Sequence, residues 1–109
     1  MSWLLRDGSV LASAEVAETF ARRARGLIGA SSFEGAIVFP HTRAVHTFGV
    51  RFPIDVAFCD RDLRVIATVT MRPGRLSRPR RGGRTVIEAE AGAFGRWGLA
   101  AGDQLELRQ

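Results

Sequence analysis

The sequence predicts one mainly β domain of the α+β class, a barrel-like β-sandwich of seven to eight short strands with one main helix packed against it. Three observations carry this. Short apolar or alternating segments are separated by Gly, Pro, Asp and Ser turns at intervals of about 8–12 residues, the rhythm of sandwiches and barrels. Only the segment from about Thr19 has a helical period. Strands and helices do not alternate regularly, which argues against a doubly wound parallel sheet. The 109-residue chain, with 46% hydrophobic residues, can bury one core without staples.

Ser2 to Leu5 reads as a strand, and Asp7-Gly8 supplies the positive φ angles of a tight hairpin. Val10 to Ala17 is the return strand, with Ala12, Ala14 and Val16 alternating against Ser13 and Glu15. Phe20, Ala24, Leu27 and Ile28 then share one helical face, capped by Thr19 and stopped by Gly29, with Arg22, Arg23 and Arg25 elsewhere on its surface. Gly26 falls in the last turn of this helix, where close packing on a strand would justify it. Gly35 to Phe39 is a strand buried on both faces, ended by Pro40, and His41-Thr42-Arg43 is a connection.

Two further strands are expected at roughly 45–50 and 54–59, broken at Phe52-Pro53, because proline cannot donate a ladder hydrogen bond. Asp60-Arg61-Asp62 is a turn. In the following strand Leu63, Val65, Ala67, Val69 and Met71 share one face. Residues 72–84 hold six of the sixteen arginines with Pro and Gly, and read as a flexible loop. Thr85 to Ala89 is a strand, and 92–99 a helical turn that brings Phe94 and Trp97 together. Ala101-Gly102-Asp103 turns into a last strand with Leu105 and Leu107 inward.

Composition narrows the function classes. The single Cys59 excludes an internal disulfide and a cysteine-rich zinc site. No apolar run approaches the roughly 18–20 residues of a membrane-spanning helix, and the first residues do not form a signal peptide, so a cytoplasmic protein is expected. All sixteen basic residues are arginine and the net charge is +5, which fits either a solvated basic surface or an anionic partner.

The candidate site is the stretch from Val45 to Asp60. Ile54, Val56 and Phe58 point one way and Asp55, Ala57 and Cys59 the other, and both faces look covered. A buried carboxylate must be paired or hydrogen-bonded. Arg51, Arg43, His46 or backbone N–H groups are available to Asp55, as an anchor of the Phe52-Pro53 bend or as a ligand contact. Asp55, His46, Arg51 and Thr47 form the candidate ligand-binding set. The loop arginines Arg72, Arg75, Arg78, Arg80, Arg81 and Arg84 form a candidate anion-binding set, although no aromatic residue interleaves with them for base stacking. A metal set of His41, His46 and Asp55 lacks helical spacing. Ser31, Ser32 and Ser77 lack a nucleophile-elbow pattern. A Cys59–His46 thiol pair competes with an inert core cysteine. No metal or cofactor is expected.

Four parts of the chain, in order, carry a resemblance to a known family: Arg25-Gly26-Leu27-Ile28, the run 35–40, the block 46–60 with Phe52-Pro53-Ile54-Asp55, and Val86-Ile87-Glu88-Ala89 with Gly92 and 98–103. The chain resembles the domain-of-unknown-function family numbered 192, small bacterial and archaeal proteins. The resemblance implies a β-rich, barrel-like fold with one helix, and no activity. Relatives often carry Trp-Met where His46-Thr47 stands and Asn-Thr where Gly49-Val50 stands, which implies that a shared site does not depend on His46. The resulting expectation is a non-enzymatic binding or accessory domain with a polar pocket near Asp55 and a small-ligand or protein partner. The alternatives are nucleic-acid or other anionic-polymer binding through the arginine loop, and a small hydrolase using Asp55 and His46.

Overall fold

The computed structural model describes residues 2–109, with the side chains of Phe20 and Arg23 outside the description. Seven strands and two short helices follow in the order β1 (Ser2–Arg6), β2 (Ser9–Val16), α1 (Phe20–Arg25), β3 (Ala36–Pro40), β4 (Ile54–Cys59), β5 (Val65–Met71), β6 (Thr85–Glu90), α2 (Ala93–Trp97) and β7 (Leu105–Arg108). The strands form one sheet in the order β5-β4-β6-β3-β2-β1-β7, not the two packed sheets of a sandwich. Among the described residues only β2 and β3 pair in parallel, joined by the crossover through α1. The sheet curls until its two edges meet at one end. There Val65 N–H donates to Asp103 O at 2.8 Å, Gly102 N–H to Val65 O at 2.8 Å and Leu105 N–H to Leu63 O at 3.0 Å. The result is a half-barrel.

Burial of both faces of β4 accounts for the curl. All six of its residues are buried. Ala57 and Cys59 face an inner cluster with Leu4, Val38, Val65, Ile87 and Phe94. Ile54, Val56 and Phe58 face an outer cluster with Ile37, Phe39, Val86 and Met71. Each fully buried Phe, Ile or Val contributes about 1.5–3 kcal/mol, so neither face of this strand could be left to solvent. The outer face is covered mostly by the irregular segment that supplies Leu27, Val45 and Val50.

Several sequence expectations hold. Asp7 and Gly8 both have positive φ, 53° and 79°, as the hairpin between β1 and β2 requires. Thr19 caps α1, its hydroxyl accepting the Arg22 N–H at 3.0 Å. Phe94 and Trp97 pack with ring centroids 5.5 Å apart.

Others are corrected. The helix ends at Arg25, because Gly26 takes φ 52° and leaves the helical region, so Leu27 and Ile28 reach the core from the turn beyond it. Ala24 is exposed, and the expected placements of the Phe20 and Arg23 side chains lie outside the described residues. The expected strand at 45–50 is reduced to a single bridge at His46 followed by a turn at 48–49. Val50 N–H donates to Thr47 O at 3.1 Å around Gly49, whose φ is 82°. The shared face of the strand after Leu63 is split by a bulge. Phe58 pairs with Ala67 but Cys59 pairs with Val65, so Val65 turns into the inner cluster while Met71 packs in the outer one.

Candidate functional site

Alternation along β6 sends Ile87 and Ala89 to the inner cluster and Val86 to the outer one. Glu88 follows Val86 onto the outer face, paired with Ile37 of β3 on one side and Val56 of β4 on the other. This sets a carboxyl group with only 7% exposure among apolar neighbours. Burial pushes its pKa up from the ordinary 4.5 to about 7, opposed by the positive charge of Arg22. Among the described residues no hydrogen bond to the protein contributes to holding its charge.

A cavity of about 90 Å³ opens beside Glu88, lined among others by Arg25, Phe39, Thr42 and His46. Its roof is the turn after α1. A Cβ added at Gly26 would stand 4.0 Å from Glu88 Oε1 and 3.7 Å from Phe39 Cζ, so the glycine backbone forms the wall next to the carboxyl group. Arg22 fixes this turn by donating from Nη1 to Gly26 O at 2.6 Å, and its guanidinium also pairs with Glu15. That pairing holds the Glu15 carboxyl below its usual range and the Arg22 guanidinium above its own.

Asp55 is placed differently. It is 5% exposed, and its oxygens are taken up. Oδ1 accepts from Thr70 Oγ1 at 2.7 Å, and Oδ2 accepts the N–H groups of Gly92 at 3.0 Å and Phe94 at 3.1 Å. A depression above it is lined by Thr68, Thr70, Gly92 and Gly95. His46 does not join it, since it lines the Glu88 cavity, where its Nδ1 accepts the Phe48 N–H at 3.3 Å. Arg51 is exposed and lines neither space. Thr47 is fully buried. Its hydroxyl donates to Arg72 O at 2.6 Å and accepts the Arg75 N–H at 2.8 Å, so it ties down the arginine-rich loop.

The expected cluster of Asp55, His46, Arg51 and Thr47 therefore divides between separate places in the fold. Cys59 is buried, and loss of solvation pushes its thiol up to about 12, with the Asp60 charge adding to the effect. His41 is exposed in the turn after β3 with φ 55°. Among the described residues, no three His, Cys, Asp or Glu side chains gather as a metal set. Glu88 belongs to neither residue set expected from the sequence. Its signal was an acidic residue on a covered face of an apolar strand.

Five of the six loop arginines, Arg72, Arg75, Arg78, Arg80 and Arg81, line one open groove of about 560 Å³. Arg84 lies outside it and donates its backbone N–H to Cys59 O at 2.9 Å. The Arg80 guanidinium sits 4.8 Å from the centre of the Phe58 ring. Among the described residues, no helix is long and apolar enough to cross a membrane.

Comparison with known proteins agrees with this architecture. A UPF0127 protein of Thermococcus sibiricus is 31% identical over 84% of this chain and 64% of its own length. A UPF0127 protein of Thermococcus gammatolerans is 32% identical over 82% of this chain and 62% of its own length. The chain thus spans less than two thirds of these relatives. A protein of unknown function from Novosphingobium aromaticivorans superposes with TM-score 0.78 at 21% identity, covering 96% of this chain and 82% of that one. One described as a putative transcription regulator from Sinorhizobium meliloti superposes with TM-score 0.79 at 22% identity, covering 96% and 90%. At that identity the likeness shows the fold alone. The family model described as Uncharacterized ACR matches residues 3–107, and the chain belongs to that family, DUF192.

Proposed function

We propose that the protein is a small-ligand-binding domain, and that its site is the Glu88 cavity rather than the surroundings of Asp55. The observation that carries this reading is a buried carboxyl group, raised to about 7, that borders an open space with no protein hydrogen bond holding its charge. Asp55 already has three donors and little left to offer a ligand. The cavity of about 90 Å³ corresponds to the liquid volume of about three waters. It accepts one small polar group, not a whole metabolite. A primary ammonium fits the chemistry, because it brings three donors and a positive charge to an under-solvated carboxylate.

The test is an NMR titration of the nitrogen-labelled protein with methylammonium at a pH above the Glu88 pKa. The expected result is saturable shifts at the amides of Gly26, Leu27, His46 and Glu88, lost in Glu88→Gln. Shifts centred on Asp55 and Gly92, or none at all, would sink this assignment.

A further inference from the structure

We propose that the arginine groove and the neighbouring His46–Phe48 ring pair form a binding face for single-stranded nucleic acid. Sequence order separates these parts, and the fold unites them. His46 is bridged to Leu76, in the middle of the arginine segment. Thr47 N–H donates to Arg75 O at 2.8 Å, and Gly74 N–H donates to Thr47 O at 2.9 Å. Ser77 N–H donates to Val45 O at 2.8 Å and Arg80 N–H to Arg43 O at 3.1 Å. The arginine backbone is thereby laid alongside residues 43–47 as a hydrogen-bonded strap, which holds the exposed Arg72, Arg75, Arg78 and Arg81 on a fixed frame, while Arg80 packs on Phe58.

Two properties of this face point to the ligand. The first is uncompensated positive charge. Among the described residues, the ion pairs use Arg6, Arg22 and Arg108, and none uses an arginine of the strap. The second is exposed apolar surface, part of it aromatic, next to that charge. Phe48 is 53% exposed and Leu76 is 71% exposed. The rings of His46 and Phe48 stack with centroids 5.4 Å apart and an interplanar angle of 21°. A ring pair with a free outer surface offers a platform for an unpaired base, and the arginines track the phosphates that follow it. A duplex keeps its base faces buried in its own stack, so it would gain from the charge alone.

The experiment is fluorescence anisotropy of the whole protein with labelled thymidine and uridine oligonucleotides of about 12 nucleotides, across a salt series. A duplex of the same length, heparin and anionic phospholipid vesicles serve as competitors. Single strands of either sugar should bind, with affinity falling steeply as salt rises. Phe48→Ala should weaken them about tenfold while Phe48→Tyr retains affinity. Because Phe48 is exposed, a circular dichroism spectrum matching the parent is expected for both. Arg75→Gln with Arg78→Gln should reduce the salt slope by about 0.7 per lost contact. Failure to bind at low salt overturns the proposal. So does competition by heparin, duplex or vesicles as strong as by the single strand, with Phe48→Ala neutral; that outcome marks a general polyanion patch.

Discussion

Asp55 on β4 caps Gly92 at the start of α2, its Oδ2 accepting the Gly92 N–H at 3.0 Å. Gly92 has no side chain to satisfy the first N–H groups of the helix, and the same oxygen also takes the Phe94 N–H at 3.1 Å. A carboxylate from a strand 37 residues earlier thus does the work of a local cap. It also locks Thr70 of β5 to α2 through Oδ1. Phe94 and Ala93 of α2 close one side of the inner cluster, so the cap holds part of the core in place.

Asp55→Ala is therefore expected to lower unfolding stability by about 3 kcal/mol, since it strands buried donors that had a charged acceptor. Asp55→Asn keeps one acceptor oxygen for the backbone pair and should cost roughly 1 kcal/mol. Urea unfolding of both variants measures this. Near-parental stability of the alanine variant would return Asp55 to the list of ligand groups.

Glu88 gives a pH dependence of the opposite sense to that of a salt-bridged acid. Its folded pKa, about 7, lies above the ordinary 4.5. Below 4.5 the group is protonated in both states and imposes no charge burial. As pH rises from 4.5 to 7 the unfolded chain loses the proton first, so stability falls across that window. The full cost, on the order of 3 kcal/mol, applies above it. Glu88→Gln should flatten this part of the curve and leave the protein more stable than the parent near pH 8. Denaturant titrations at several pH values check it, and identical slopes in parent and variant would show that the group is well solvated.

Gly35, just before β3, lies close against Ser13 of β2. A Cβ there would meet Ser13 Oγ at 2.6 Å and Ser13 O at 2.7 Å, and the backbone already has φ 84°. Gly35→Ala faces both strain and a backbone clash, and should cost about 2–4 kcal/mol. Thermal unfolding reads the loss. Gly8, with φ 79° but nothing within 4 Å, is the control, and Gly8→Ala should cost only about 1 kcal/mol for its conformation.

Local chemistry made most of the strands legible. Alternation in Leu63 to Met71, the Asp7-Gly8 hairpin, the Thr19 cap and the doubly buried runs before Pro40 and Asp60 all follow from neighbouring residues, and the family was readable from the motifs that these runs contain. The errors share one cause. Val45 to Val50 has strand-like composition, yet its backbone bonds go to the Arg72–Ser77 segment and into its own Gly49 turn, partners some 30 residues away or hidden in one glycine. The Val65 bulge was equally silent, because register is a property of two strands and not of one.

The same division runs through the candidate sites. Sequence alone determined that Asp55 and Cys59 share one face of an apolar strand, that a covered Asp55 needs donors and that residues 72–84 concentrate positive charge. Tertiary structure alone decided that the donors to Asp55 are Thr70 and the start of α2, which turns it into an anchor. It also decided that Glu88 borders a cavity with His46 and that His46, stacked on Phe48, is bridged to Leu76 of the arginine segment. The physical reason is that a residue's periodicity reports which side of its own element it occupies, whereas its chemistry depends on what the rest of the chain brings to that side.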